Sequence, residues 1–157
     1  MRAARIIGPQ RIEMIDVKEP TIQDGEVLVR VQMTSVCGSD LRRFDRALPE
    51  EEYPLPNAHP SHECAGVVED SKSDQYQKGQ RVIALPFNST GLGEYMSVPA
   101  SRIIPLPNEG DLATLLMCQH MGTVMFSCNQ IGSVIGKSVV ILGQGAIGLN
   151  FTYWIHR

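Results

Sequence analysis

Nowhere in the sequence do two cysteines form a C-x-x-C pair, and the four that occur, Cys37, Cys64, Cys118 and Cys128, lie far apart. In a reducing compartment that spacing argues against a disulfide frame, and each cysteine reads as metal ligand, catalytic thiol or small buried apolar residue. No apolar run approaches the ~18 residues that span a bilayer. The start, Met1-Arg2-Ala3-Ala4-Arg5, runs into Gly8 and Pro9 instead of the apolar core of a secretory signal. A cytoplasmic protein with no membrane partner is the expectation. Basic residues are not in excess: 14 Lys and Arg face 17 Asp and Glu, a net charge of -3, which gives no electrostatic ground for a nucleic-acid partner. Internal repeats and low-complexity segments are also missing. What remains is 157 residues of ordinary globular composition, enough for one domain or one domain plus a piece, burying roughly two-thirds of its unfolded surface.

The first two-thirds of the chain is organised as short strands punctuated by Gly and Pro. Residues 3–7 and 11–17 are strand candidates separated by Gly8-Pro9, and residues 26–33 alternate apolar with polar, which predicts one buried face. Residues 48–60 contain four prolines and several acids, the composition of a surface loop. Further strands are predicted at 65–69, 79–85, 91–99 and 102–106, a pattern that points to a small barrel or sandwich. After Pro107 the character changes. Asn108 to Asp111 offer a helix cap, residues 112–127 are compatible with a helix interrupted at Gly122, and Ser138-Val139-Val140-Ile141-Leu142 reads as a buried strand. Residues 146–156 then read as the start of a helix.

Two polar knots and one glycine turn carry the chemistry. Cys37-Gly38-Ser39-Asp40 follows a β-rich run, and His59-Pro60-Ser61-His62-Glu63 precedes another. Thiolate, imidazole and carboxylate are what zinc takes, with a further carboxylate available to orient the imidazole. His59 stands three residues from His62, and in an extended chain the two point to opposite faces, so they are not expected to share a metal. Gly143-Gln144-Gly145-Ala146-Ile147-Gly148 follows an apolar strand and opens a helix, the setting in which G-x-G-x-x-G cradles a dinucleotide pyrophosphate. The acidic residue that completes that fingerprint ~20 positions later would lie past Arg157.

Together with Ala65-Gly66-Val67-Val68, Gly79-Gln80-Arg81-Val82 and Glu94-Tyr95-Met96-Ser97-Val98-Pro99, these motifs occur in an order and spacing that resembles the zinc-dependent medium-chain dehydrogenases, the alcohol, polyol and threonine dehydrogenase family. The resemblance runs through essentially the whole chain. It implies a mainly β fold: a GroES-like, partly open β-barrel with a few helices over residues 1–122, the catalytic domain. Residues 123–157 are then a linking helix with the first strand and helix of an incomplete Rossmann domain.

On the same resemblance, Cys37 and His62 match the first two catalytic zinc ligands, Asp40 the carboxylate that orients the histidine, and Glu63 a glutamate able to bind zinc directly or through water. The remaining ligand position falls on Cys118 or, in the register of polyol dehydrogenases, on Gln119. Cys118 is preferred because a thiolate binds zinc far more strongly than an amide, and His120 is a third candidate. Ser39 matches the hydroxyl that opens a proton relay. The histidine that often completes that relay is replaced by Arg42, which stays protonated and cannot pass a proton on. Thr123 resembles the position that meets the nicotinamide, and Gly143, Gln144, Gly145, Ala146, Ile147 and Gly148 the cofactor turn.

The implied activity is hydride transfer between a primary or secondary alcohol, or the matching ketone, and NAD or NADP. On the same resemblance one catalytic zinc and no structural zinc are expected, because many members of that family carry a cysteine-rich lobe with a structural zinc where Phe87-Asn88-Ser89-Thr90-Gly91 bridges here without a cysteine. Phe87 and Leu55 are candidates for a substrate wall, with ordinary packing as the other reading. Lacking a second Rossmann strand, the chain as given is expected to be inactive alone. Its apolar tail of Ile147, Leu149, Phe151, Trp154 and Ile155 is expected to be disordered or buried in a homo-oligomer. Two alternatives stay open: a non-catalytic GroES-like binding or assembly module, and a zinc-free quinone-reductase-type oxidoreductase.

Overall fold

The alternating run beginning at Glu26 becomes a central strand. In the computed structural model, which describes residues 1–156, β3 (Glu26–Ser35) lies between β6 (Tyr95–Pro99) and β4 (Glu63–Ser71), and the sheet continues through β5 (Arg81–Ala84) to β7 (Ile103–Pro105). The order β6-β3-β4-β5-β7 is antiparallel throughout and curls into a half-barrel. β1 (Arg2–Gly8) and β2 (Arg11–Asp16) form a separate antiparallel hairpin.

Burial explains the two kinds of strand pattern. Val27 and Val29, on one face of β3, are fully buried with Cys64, Val68, Val82 and Val98, each such valine stabilising the fold by roughly 1.5–3 kcal/mol. β4 instead reads as a continuous apolar run because both its faces are covered. Its other side packs Ala65 with Ile83 and with Leu116 of α2 (Leu112–Leu116). Gly66 is required there: a Cβ would stand 2.1 Å from the Arg30 carbonyl oxygen across the ladder.

Three elements differ from the sequence expectations. The proline-rich stretch 48–60 is irregular apart from one 3-10 turn (Glu50–Glu52), yet Leu55 and Ala58 are buried. Their N–H groups donate to the Ile6 and Ala4 carbonyls at 2.9 and 2.8 Å, stitching the segment to β1. Gly38–Asp45, a stretch to which the sequence assigned no regular element, forms a helix, α1. The helix predicted over 112–127 is divided at Met117 into α2 and α3 (Cys118–Ile131), while Gly122 interrupts nothing. Asp111 supplies the expected cap to α2, its Oδ2 accepting from the Thr114 N–H and hydroxyl at 2.8 Å each.

The chain divides into two compact units, Met1–Leu116 and a second from Met117 onward. The second holds α3 and α4 (Ala146–His156), which lie against each other. Residues 146–156, read from the sequence as the start of a helix, are helical, so of the two expectations for the apolar tail, disorder is not met. Ser138–Leu142, expected as a buried strand, is a correction: it forms no strand, and Val140 and Leu142 are 81% and 93% exposed. A parallel strand needs a neighbour to take its backbone groups and cover its side chains, and none pairs with it among the described residues. Arg157, the last residue of the predicted second segment, lies outside the described residues. No described helix is long and apolar enough to cross a membrane.

Candidate metal centre

Strand register assembles the site. β3 and β4 pair so that Ser35, the last residue of one, faces Glu63, the first of the other. Cys37 is two residues beyond Ser35 and His62 one residue before Glu63, so the antiparallel ladder delivers thiol, imidazole and carboxylate to the same end of the sheet. One donor atom from each of Cys37, His62 and Glu63 lies within 4.8 Å of the others.

Asp40 fixes two of these groups at once. Cys37 is the N-cap of α1, and Asp40, three residues on, accepts a hydrogen bond from the Cys37 N–H at 2.9 Å through Oδ2. A carboxylate in the first turn satisfies an unpaired helix donor and suits the positive end of the helix dipole. Its other oxygen, Oδ1, lies 3.3 Å from His62 Nδ1. That contact selects the tautomer with the proton on Nδ1 and leaves Nε2 as the ligating nitrogen. Nε2 is 4.0 Å from Glu63 Oε1.

Two nearly buried carboxylates, Asp40 at 7% and Glu63 at 4% exposure, beside a thiol form a strongly cation-seeking environment. The donor set fits zinc: a soft thiolate, a borderline imidazole and an oxygen ligand.

Behind this cluster sits a hydroxyl network. Thr34 Oγ1 donates to the Glu63 carbonyl at 3.1 Å and makes a short contact with Ser61 Oγ, and the Ser35 hydroxyl donates to Glu63 Oε2. Cys64 Sγ lies 3.6 and 3.8 Å from the Thr34 and Ser61 hydroxyls. Burial pushes the Cys64 thiol above its ordinary value against those hydrogen bonds, with the Asp40 and Glu63 charges acting in the same direction as burial. Cys64 is thus a protonated core thiol of the valine cluster.

The other predicted residues fall as follows. Ser39 is exposed in the first turn of α1, and Arg42 is exposed one turn on. His59 is outside the cluster, its Nδ1 2.9 Å from the Asn88 carbonyl oxygen. Leu55 is a buried loop residue, and Phe87 is exposed beneath the Arg102 guanidinium, 4.4 Å from its ring centre. Cys118, Gln119 and His120 open α3 in the second unit, with Cys118 exposed. Thr123, in the same helix, donates its hydroxyl to the Gln119 carbonyl at 3.3 Å.

The glycine turn has the backbone its motif requires. Gly143 has φ +93°, and a Cβ on Gly148 would stand 2.0 Å from the Gly143 carbonyl oxygen. Gln144, Gly145, Ala146 and Ile147 are exposed around it, and space is open above Gly145. An exposed glycine turn that opens a helix fits a dinucleotide pyrophosphate.

Sequence reasoning missed Thr34, Ser35 and Ser61. In the sequence Thr34 and Ser35 are ordinary hydroxyls at the end of a predicted strand, and Ser61 is a serine between two histidines. The register between β3 and β4, which shifts between Val31 and Met33, puts Thr34 and Ser35 behind the ligands, and backbone hydrogen bonds to Ser89 and Gly91 put Ser61 there.

Known proteins agree with this architecture. Residues 23–108 match the alcohol dehydrogenase GroES-like domain. The L-threonine 3-dehydrogenase of Chromobacterium violaceum is 26% identical, the alignment covering 93% of this chain and 51% of the relative. An alcohol dehydrogenase of Cupriavidus necator is 27% identical, over 95% of this chain and 53% of the relative. The chain thus spans about half the length of these relatives. The crystal structure of galactitol-1-phosphate dehydrogenase from Escherichia coli superposes with a TM-score of 0.82 at 19% identity, covering 99% of this chain and 52% of that one. The matched segment holds Cys37, Asp40, His62 and Glu63 and takes in more than half of the chain, which therefore belongs to the alcohol dehydrogenase GroES-like domain family.

Proposed function

We propose that this chain supplies the metal-binding, catalytic half of a zinc-dependent dehydrogenase that moves hydride between a primary or secondary alcohol and NAD or NADP. The observation that carries the reading is the convergence of Cys37, His62 and Glu63 with His62 Nδ1 held by Asp40. Cys37 and His62 would hold the zinc, Glu63 would offer an oxygen to it, and Cys118 is assigned the remaining position, ahead of Gln119 and His120. When bound, zinc supplies Lewis acidity toward an alcohol oxygen and the nicotinamide supplies the hydride acceptor.

The protein's own groups do the rest. Asp40 keeps the imidazole in one tautomer and one orientation. Ser39, exposed beside the ligand loop, takes the alcohol proton toward solvent. Arg42 carries only hydrogen-bond donors and takes no part in that transfer. The turn Gly143–Gly148 would receive the pyrophosphate, and Thr123 would be the residue that meets the nicotinamide. One catalytic zinc without a structural zinc follows from the cysteine-free 87–91 bridge.

The test is on the native protein, purified anaerobically and without chelator. It should carry about one zinc per chain, lost in Cys37→Ala and in His62→Ala, while measurable reduction of NAD or NADP with an alcohol by this chain alone would contradict the expectation that it is inactive by itself. A metal-free protein would overturn the reading and favour either a zinc-free oxidoreductase acting on an activated double bond or a binding module.

A further inference from the structure

Glu63 is gripped by β3 at two points. The Thr34 hydroxyl holds its carbonyl at 3.1 Å, and the next residue, Ser35, donates its hydroxyl to Oε2 of the side chain. The second contact follows from the first, since Thr34 and Ser35 stand opposite Cys64 and Glu63 in the ladder. Oε1, the other oxygen, is the one nearest His62 Nε2, at 4.0 Å. The two oxygens of this nearly buried carboxylate are therefore unequal: one is bound to the strand behind it, the other faces the imidazole.

We propose that Ser35 is a positioning residue that ties down Oε2 of Glu63 and restricts this carboxylate to a one-oxygen approach to a metal held by Cys37 and His62. The inference rests on the metal-centre reading above and deepens it. A carboxylate accepting a hydroxyl hydrogen bond gives up negative charge on that oxygen and cannot rotate to present both. Glu63 is only 4% exposed, so water does not easily replace the Ser35 hydroxyl. The bond thereby fixes in advance the torsions that metal binding would otherwise have to order.

Cobalt(II) titration of the chain against a competing chelator, read by its visible and thiolate charge-transfer bands, tests this apart from catalysis. Ser35→Ala should weaken cobalt binding about tenfold and change the visible spectrum, because the carboxylate is released to approach differently. Ser35→Thr should restore both, whereas Ser35→Val, the same shape without the hydroxyl, should behave as Ser35→Ala. This pair carries the test if Ser35→Ala does not fold. In a Glu63→Ala background the Ser35→Ala effect should vanish. Unchanged affinity and spectrum in Ser35→Ala, or an equal loss in the Glu63→Ala background, would overturn the inference while leaving the metal centre standing. Failure of the unmodified chain to take up cobalt would overturn the metal centre and the inference with it.

Discussion

The two units invert each other's economy of burial. In the first, polar site residues are among the best hidden, with Asp40 and Glu63 under a tenth exposed inside a frame of fully buried valines. In the second, the most apolar stretch is among the most exposed, with Ile135, Val140 and Leu142 between 81% and 93% open. The difference teaches what each sequence segment requires. Residues that fold back on near neighbours in an antiparallel ladder complete their own surroundings, even for charged groups. A segment patterned for both faces of a parallel strand remains open until other strands flank it.

Matched glycine substitutions probe that contrast most strongly. A Cβ meets a backbone carbonyl oxygen at 2.1 Å at Gly66 and at 2.0 Å at Gly148, so the local clash is nearly the same. Gly66 lies between paired strands that cannot separate, and Gly66→Ala should cost about 3 kcal/mol in urea unfolding followed by far-UV circular dichroism. Gly148 lies in the first turn of α4, half-buried and in the second unit, and Gly148→Ala should leave the unfolding transition of the first unit in place. Equal losses would break the contrast.

Tyr76 sharpens the contrast on a smaller scale. Its hydroxyl is buried and donates to the Ile103 carbonyl at 2.7 Å, and burial raises its pKa. Tyr76→Phe should cost about 1 kcal/mol. A raised pKa means that the contribution is fully present below the unfolded tyrosine value of about 10 and is lost as pH rises through the folded value. Alkaline unfolding of the native chain should therefore be steeper than that of Tyr76→Phe, and identical pH profiles would count against a buried hydroxyl.

How much was legible in the sequence follows the same division. The strands of the first unit could be read because apolar alternation at Val27 and Val29 and the turns at Gly8-Pro9 and Gly79 are local signals. Cys37, Asp40, His62 and Glu63 could be read because the motifs are short and ordered as in the resembling family. Helix α1 was hidden because the apolar periodicity that announces a helix is weak in Gly-Ser-Asp-Leu-Arg-Arg-Phe-Asp, and its cap is made by Asp40 and the Cys37 backbone. Thr34 and Ser35 were hidden because a hydroxyl's partner depends on register, and the irregularity between Val31 and Met33 sets that register. Ser138–Leu142 was assigned to a strand on its continuous apolar run and on the resemblance, while strand formation depends on a neighbour.

The central claim is that the end of the β3–β4 ladder is a metal centre built on Cys37. Zinc K-edge X-ray absorption of the zinc-loaded chain tests it most directly. The account predicts a sulfur ligand at about 2.3 Å together with nitrogen and oxygen ligands at about 2.0–2.2 Å, with the sulfur contribution reduced in Cys37→Ala. A zinc shell without sulfur, or one that Cys37→Ala leaves unchanged, would contradict it.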